Sequence, residues 1–319
     1  MSKLSIIVPV YFNAPTLPEL HSQFSRVFEE LHGVDGEVIF VDDGSRDNSF
    51  AVLSALAARD ERCKVIKLSR NHGSHIAMLA GLQYCTGDCA VIISADLQDP
   101  PDLISKMYRH WQDGFASVLA VREDRDDPLS SKLFASVFYR IMRRFAIREM
   151  PEGGFDFALI DRKIIDIIVE MREKNSHLMT QILWTGYAPK LLQYRRQGRK
   201  VGKSKWTFSR KFKLFVDSLT AFSYAPLRLV SLLGFGMAAG GFLYAFYVIF
   251  LKLTHGIAVE GWSSLMVVVL VAAGTQLLGL GIIGEYLWRN LDETRKRPAF
   301  LVDKMIGINN PEKQRSTVK

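Results

Sequence analysis

The sequence predicts an α/β protein, in which a mostly parallel sheet covered by helices is followed by two membrane-spanning helices. Short apolar runs alternate with helical patterns over residues 1–121, which is typical of successive strand–helix units. Residues 229–251 and 263–284 contain no charged side chain, and each stretch exceeds the ~20 apolar residues that a helix needs to cross a bilayer. A chain of 319 residues with 48% hydrophobic content has room for both parts.

Local patterns predict each element of the sheet domain. Two apolar runs, 4–10 and 90–94, have the continuous character of strands covered on both faces. Asp47 and Ser74 are typical helix N-caps, and Pro101 suits a first helical turn. The predicted strands are 4–10, 37–41, 64–68, 90–94 and 117–121. The predicted helices lie near 16–32, 47–59, 74–85 and 101–113.

Two basic amphipathic segments follow. Residues 129–145 have apolar side chains at helical spacing and basic ones opposite, which fits an interfacial helix and a core-packed helix equally well. Residues 208–222 repeat the pattern and lead into the first span, so the interfacial interpretation is favoured there. The predicted organisation is a domain over 1–198, a juxtamembrane segment over 199–226, two spans within 227–288 and a tail over 289–319.

The charge distribution predicts a membrane partner rather than a nucleic acid. The net charge is +8, but there is no zinc-finger spacing or RRM signature. Residues 199–213 carry seven Lys and Arg residues, residues 289–304 carry five, and the loop 252–262 between the spans carries one. The positive-inside rule therefore predicts an inner-membrane protein with the sheet domain and both termini in the cytoplasm. We expect the three cysteines to be reduced and buried.

Unusual polar residues fall where the predicted parallel strands end, which is where ligands bind in open α/β sheets. The first strand ends at Pro9 and Tyr11, and the second at Asp42 and Asp43. The fourth runs into the segment 94–101, SADLQDPP. No Gly-rich loop follows the first strand, which excludes a Rossmann dinucleotide site and a Walker P-loop. A bound nucleotide would have to be held by acids and a metal.

The motifs SIIVPVY, VDDGSRDNS, SRNHG and ADLQDPP, in this order, resemble those of the family-2 inverting glycosyltransferases with the GT-A fold. With GGFDF at 153–157, RKVGKSKW at 199–206 and two carboxyl-terminal spans, the chain more closely resembles the polyisoprenyl-phosphate glycosyltransferases. These include the bactoprenol glucosyltransferases and the dolichyl-phosphate mannose synthases. The resemblance covers about residues 3–300.

The resemblance implies a nucleotide-sugar site and a metal. Asp42 and Asp43 would contact the base and ribose of the donor, although they could instead form an ordinary Asx-type turn. The metal motif of the family is Asp-x-Asp, and Ser94 replaces its first acid. Asp96 would then hold Mg²⁺ or Mn²⁺ together with the donor diphosphate, and we expect weak metal binding without the donor. The remaining expected donor-site residues are Pro9, Tyr11, Arg70 and Gln98, with Gln98 or Asp99 assisting at the metal. The segment of Arg70 could equally form an ordinary helix cap.

The resemblance also implies an acceptor site. Asp156 matches the catalytic base proposed in the family, and flanking phenylalanines would shield it from water. A lipid phosphate, with a second pKa of about 6, is already anionic at pH 7, so we expect Asp156 to orient the reacting groups. The alternative for the basic residues is general attraction to anionic lipid. The expected phosphate-binding residues are Arg122, Arg199, Ser204 and Lys205.

Together these features predict an enzyme that transfers one hexose, with inversion, from UDP-glucose to undecaprenyl or another polyprenyl phosphate at the cytoplasmic face, in the synthesis of cell-envelope polysaccharide. GDP-mannose or an amino-sugar nucleotide is an alternative donor. A non-catalytic scaffold or flippase partner is an alternative of another class, supported by Ser94. We expect a homo-oligomer, for example a tetramer.

Overall fold

The computed structural model of the chain describes residues 2–123, 140, 142–144, 147, 149–151, 154–171, 173–174, 176–196, 223, 225–255 and 261–308. It divides into two compact units, which are Met1–Asp217 with Pro298–Lys319, and Ser218–Arg297. Both predicted amphipathic segments, 129–145 and 208–222, lie largely or wholly outside the described residues.

The first unit contains an eight-stranded sheet with the order β7-β5-β6-β4-β1-β2-β3-β8. Six strands run parallel, and β6 and β8 run against them. The predicted GT-A-like, mostly parallel α/β sheet and its first five strands are therefore confirmed, whereas the last three strands were not predicted. The strands are β1 (Lys3–Val10), β2 (Asp35–Asp42), β3 (Cys63–Leu68), β4 (Cys89–Ile92), β5 (Ser117–Arg122), β6 (Phe157–Asp161), β7 (Lys190–Tyr194) and β8 (Val302–Ile306).

Six helices whose bounds lie in the described residues accompany this sheet, and all four predicted ones are among them. The predicted caps are each wrong by one or two residues: Asn48 and Gly73 occupy the N-cap positions of α2 and α3, and Pro101 lies in a turn before α4. The helices are α1 (Leu17–Glu30), α2 (Ser49–Ala57), α3 (Ser74–Tyr84), α4 (Leu103–Gln112), α5 (Arg162–Met171) and α6 (Leu178–Trp184).

The central strand β1 lies at the point where the strand order reverses. It pairs with β2 on one side and with β4 on the other, and both pairings are parallel. Ile6, Ile7 and Val8 are completely buried because side chains on both faces of this strand are covered. The carboxyl ends of β1, β2 and β4 therefore meet at one edge of the sheet, which is the place where a ligand crevice forms in this class of fold.

The carboxyl-terminal segment contributes an unpredicted edge strand. Residues 289–319 were predicted only as a tail, but β8 pairs antiparallel with β3, with Ile66 opposite Met305 and Lys67 opposite Lys304. Ile306 packs against the hydrophobic core, and Lys67 forms an ion pair with Asp303 at 3.5 Å. The chain thus returns to the sheet after the second long helix.

The second unit contains two long helices, α7 (Ala225–His255) and α8 (Trp262–Thr294). Their apolar stretches Ala225–Leu251 and Leu265–Thr294 have mean hydropathies of 1.8 and 2.3 and are 0% and 6% buried. A core helix of a soluble protein would be mostly covered, so these exposed helices are candidate membrane spans. The helix α8 runs past the predicted end of the second span, and Glu285 and Arg289 pair one turn apart on it at 2.8 Å.

One glycine of the two long helices lies close to a side chain of the other helix. Gly236 and Gly240 have the small-xxx-small spacing of a helix contact face, but among the described residues nothing lies within 4 Å of a Cβ built at either position. The close approach is instead at Gly279, where such a Cβ would lie 3.1 Å from Val230 Cγ1.

Candidate active site

Side-chain hydrogen bonds tie together the loops at the carboxyl edge of the sheet. Thr16 Oγ1 donates to the carbonyl of Ala95 at 2.7 Å, which joins the β1 and β4 loops. The backbone N–H of Phe12 donates to Ser45 Oγ at 3.1 Å, which joins the β1 and β2 loops. Phe12 has a φ of 59°, a conformation that is strained for a bulky residue. Strain of this kind persists where the surroundings fix the backbone, as they do in this crevice.

Asp42 and Asp43 end β2 in this crevice, as predicted. Asp42 is completely buried, and one of its oxygens accepts a hydrogen bond from the backbone N–H of Ser45 at 3.0 Å. The other oxygen, Oδ2, is buried without a hydrogen-bond partner among the described residues. Burial raises the pKa of Asp42. A buried acceptor without a partner is costly, so this oxygen is suited to receive a donor from a ligand.

Asp43 holds the neighbouring loop in place. Its two carboxylate oxygens accept the backbone N–H groups of His72 at 2.7 Å and Gly73 at 2.9 Å. Burial raises the pKa of Asp43 to about 6, against the effect of these two hydrogen bonds. Gly44 is required beside it, because its φ is +67° and a Cβ there would lie 2.5 Å from the carbonyl carbon of Arg70. The structure thus brings the exposed Arg70 next to the β2 acids.

The loop after β4 carries an acid cluster. Ser94 Oγ lies 2.7 Å from Asp96 Oδ1 and 2.9 Å from Asp99 Oδ2, so it hydrogen-bonds within this cluster at the position where the family motif has an acid. Asp96 Oδ1 also accepts the backbone N–H of Gln98 at 3.3 Å. Between them Leu97 has a φ of 58° and is 5% exposed, a strained turn that fixes the flanking residues.

Two residues that the sequence analysis missed complete this cluster from the end of β7. The Tyr194 hydroxyl donates to Asp99 Oδ1, and Tyr194 is 5% exposed. Arg196 Nε lies 3.4 Å from Asp99 Oδ1, and Arg196 Nη2 lies 4.0 Å from Asp96 Oδ2. Leu192 and Tyr194, which lie on one face of the segment KLLQY, and the two arginines that follow were the available signal in the sequence.

Asp156 and Arg122, predicted in different roles, form an ion pair. Arg122 Nη2 donates to Asp156 Oδ2. The expectation that phenylalanines shield Asp156 is wrong, because its side chain is 52% exposed and that of Arg122 is only 14% exposed. Against the effect of burial, the Asp156 carboxylate and the neighbouring Tyr194 hydroxyl raise the pKa of Arg122. A continuous polar chain therefore runs from Asp156 through Arg122, Tyr194 and Asp99 to Ser94 and Asp96.

A histidine pair lies near this chain. The rings of His75, at the start of α3, and His177, before α6, have centroids 3.7 Å apart. Burial lowers the pKa of His75 to about 4, although the charge of Asp156 acts in the opposite direction. Both rings are therefore neutral at physiological pH, since burial also lowers the pKa of His177. This agrees with a structural role for His75.

The remaining predicted residues divide into two groups. Pro9 lies two residues beyond Ile7, which forms the last β1–β4 pair, so its missing N–H interrupts no hydrogen bond of that ladder. The backbone N–H of Tyr11 donates to Asn13 Oδ1 at 3.1 Å, and its ring packs against Phe12. Arg199, Ser204 and Lys205 lie outside the described residues.

The acid cluster fits a divalent cation shared with a ligand. Within the described part of the chain, no three His, Cys, Asp or Glu side chains form a metal-binding group. Asp96 with Gln98, and Asp99 behind them, offer the one or two carboxylates that Mg²⁺ or Mn²⁺ uses when phosphates and waters complete the shell. The guanidinium that already lies between Asp96 and Asp99 demonstrates that this position attracts a cation.

Comparisons with known proteins agree with the motifs. The model of the glycosyl transferase family 2 matches residues 5–168. An uncharacterized glycosyltransferase of Bacillus subtilis, YkcC, is 39% identical over 96% of this chain and 95% of its own length. A prophage bactoprenol glucosyl transferase homolog of Escherichia coli is 33% identical over 95% of this chain and 99% of its own.

Among solved structures, mannosyl-3-phosphoglycerate synthase from Rubrobacter xylanophilus superposes with a TM-score of 0.47 at 17% identity, over 69% of this chain and 72% of that one. The similarity in sequence extends over both units of the molecule, the sheet with its acid cluster and the two apolar helices. The chain therefore belongs to glycosyl transferase family 2 and is a glycosyltransferase.

Proposed function

We propose that this enzyme transfers a single hexose, with glucose from UDP-glucose as the first candidate, to a polyprenyl phosphate at the cytoplasmic face of the membrane. A phosphate oxygen of the lipid attacks the anomeric carbon as the bond to the donor diphosphate breaks. The nucleoside diphosphate leaves, and the configuration at the anomeric carbon inverts. Undecaprenyl phosphate is the acceptor that best matches the relatives.

The observation that carries the proposal is similarity over nearly the whole chain to bactoprenol glucosyl transferases. Relatives with this name from Escherichia coli and Shigella phage SfX are 33% identical over 95% and 94% of this chain. The matched stretches of sequence include the acid cluster, the Asp156–Arg122 pair and both apolar helices. A glycosyltransferase with two candidate spans suits an acceptor that lies in a bilayer.

On the donor side, the buried oxygens at the end of β2 suit a nucleoside. Asp42 Oδ2 needs a hydrogen-bond donor, which the base and the ribose hydroxyls of a nucleotide both offer. Asp43 shapes the loop that carries Arg70 beside it. Asp96 and Gln98 would hold a divalent cation that neutralises charge on the departing diphosphate.

On the acceptor side, cations must offset the repulsion between a lipid phosphate and the donor diphosphate. Arg122 is held by Asp156 and Tyr194, so its guanidinium is ordered before a substrate arrives. Its Nε is buried without a hydrogen-bond partner in the described residues. Arg199, Ser204 and Lys205 would supply a bidentate fork, a hydroxyl and a point charge. Asp156 then orients Arg122 and the attacking phosphate.

The path of the chain supports two crossings of the membrane with both ends on one side. The segment that leaves the sheet domain passes through α7 and α8, and β8 then returns to pair with β3. An even number of crossings is needed for this return. The excess of Lys and Arg beside both spans favours the cytoplasm for the sheet.

A transfer assay tests the proposed reaction. Full-length protein in detergent is incubated with undecaprenyl phosphate and, separately, radiolabelled UDP-glucose, GDP-mannose and UDP-N-acetylglucosamine, with Mn²⁺ or with EDTA. We expect label in the lipid fraction with UDP-glucose and its loss with EDTA. If only another donor gave label in the lipid fraction, that donor would replace UDP-glucose in the proposal. No lipid label from any donor would contradict the function.

Asp42→Asn is expected to separate nucleotide binding from stability. The substitution removes a buried charge, one of whose oxygens has no hydrogen-bond partner among the described residues, so the unfolding midpoint without nucleotide should stay the same or rise. UDP affinity should fall about tenfold, the effect of one charged hydrogen bond. Isothermal titration and thermal unfolding measure the two quantities. Asp35→Asn, at the opposite end of β2 and exposed, is the matched control. Unchanged UDP affinity in Asp42→Asn would remove Asp42 from the donor site.

Asp156→Asn distinguishes an orienting residue from a base. A general base contributes about 10²–10⁴-fold to a rate. Because the acceptor is already ionised, we expect kcat to fall by less than about 100-fold and the shape of its pH profile to remain. Asp156→Ala, which cannot hold Arg122, should lower kcat further. Loss of the lower-pH limb of the profile in the Asn variant would instead identify Asp156 as the base.

Labelling of introduced cysteines tests the orientation. Cys63, Cys85 and Cys89 are buried and free, which keeps the background low. In intact cells, a membrane-impermeant maleimide should label Ala258→Cys, between the spans, and should not label Ser316→Cys until the cells are opened. The reverse pattern would place the sheet on the outer face.

A further inference from the structure

Arg196 has no assigned role in the reaction, yet it lies within the acid cluster. Its Nε is 3.4 Å from Asp99 Oδ1 and its Nη2 is 4.0 Å from Asp96 Oδ2. The Asp99 side chain is 0% exposed, that of Asp96 is 16% exposed and that of Arg196 is 25% exposed. A partly buried charge pair of this kind is screened little by salt.

Two described residues that hydrogen-bond to these acids are neutral. Ser94 and Tyr194 contribute hydroxyls, which satisfy carboxylate oxygens but do not balance their charge. The guanidinium therefore neutralises part of the charge of Asp96 and Asp99. A divalent cation held by Asp96 would come within a few ångströms of it, and two positive charges at that separation repel strongly.

We infer that Arg196 competes with the divalent cation for Asp96 and Asp99, and that it turns to the donor diphosphate when nucleotide and metal bind together. The inference rests on the proposed function, in which Asp96 is the metal ligand. Arg196 is then a positioning residue: it occupies the acids while the donor is absent, and its planar fork has a second, bidentate partner once the diphosphate is present.

This exchange gives a second reason for weak metal binding without a donor. The absent acid at Ser94 removes one ligand, and Arg196 opposes the cation at the remaining ones. The donor diphosphate removes both obstacles to metal binding, because it supplies oxygens to the metal and a partner to Arg196. Binding of nucleotide and of metal must then strengthen each other by the same factor.

Mn²⁺ titrations on the full-length protein in detergent test this exchange without any transfer reaction. Free Mn²⁺ is measured by electron paramagnetic resonance, first alone and then with saturating UDP. The variants are Arg196→Gln, which removes the charge, and Arg196→Lys, which keeps it. Arg195→Gln is the matched control, since Arg195 is the adjacent residue, carries the same charge and is exposed.

Without nucleotide, we expect Arg196→Gln to bind Mn²⁺ about tenfold more tightly than the wild type. Arg195→Gln should stay within about twofold, because an exposed charge is screened, and Arg196→Lys should resemble the wild type. The factor by which UDP strengthens Mn²⁺ binding should fall about tenfold in Arg196→Gln alone. Circular dichroism checks the folding of each variant, and Arg196→Met replaces Arg196→Gln where the latter fails to fold.

Equal Mn²⁺ affinities for Arg196→Gln and Arg195→Gln would overturn the inference, even if lipid is glycosylated. The inference would also be overturned if UDP strengthened Mn²⁺ binding by the same factor in Arg196→Gln as in the wild type. Tighter Mn²⁺ binding in Arg196→Gln would support the exchange even if the wild-type protein transferred no sugar to lipid. The failed transfer would then reject the proposed acceptor alone. The two failures are therefore distinguishable.

Discussion

The active-site edge depends on the burial of one carboxylate, that of Asp99. An ionised acid with a fully covered side chain is stable only when hydrogen bonds and an opposite charge compensate its lost hydration. Ser94 supplies a hydroxyl from the β4 loop, and Tyr194 and Arg196 supply a hydroxyl and a charge from the end of β7. The carboxylate therefore fastens an edge strand, whose other residues alternate between half-buried and exposed, to the loop that carries Asp96.

Hydrogen bonds and opposite charges also stabilise the other acids of the crevice. Tyr194 donates to Asp99 and lies beside Arg122, and Arg122 pairs with Asp156. With Arg196 and Asp96, three acids and two arginines share one polar network. On the β2 side, Asp43 is satisfied by backbone N–H groups and Asp42 keeps one oxygen without a partner among the described residues. The carboxylate that holds the neighbouring loop is thus satisfied, whereas a buried oxygen of Asp42 retains capacity for a hydrogen-bond donor.

The sequence predicted those parts of the fold that are determined by local patterns. The first five strands are apolar runs, and the acids at the ends of β2 and β4 follow from the strand positions alone. The strand β8 was missed because VDKMI, on an edge, carries two charges in five residues. Tyr194 and Arg196 were missed because their place depends on β7 pairing with β5, a contact between distant segments. The predicted shielding of Asp156 by phenylalanines was wrong because the neighbouring residues in sequence do not reveal its ion pair with Arg122.

The position of β8 has a consequence for how the protein is made. The two apolar helices are an insertion between β7 and β8 of a single sheet, so the outer edge of β3 lacks its neighbour until nearly the entire chain has been synthesised. A bare strand edge is prone to pair with other chains. Completion of the enzyme fold must therefore await synthesis of both apolar helices, which ties maturation of the sheet to a long segment that contributes no strand to it.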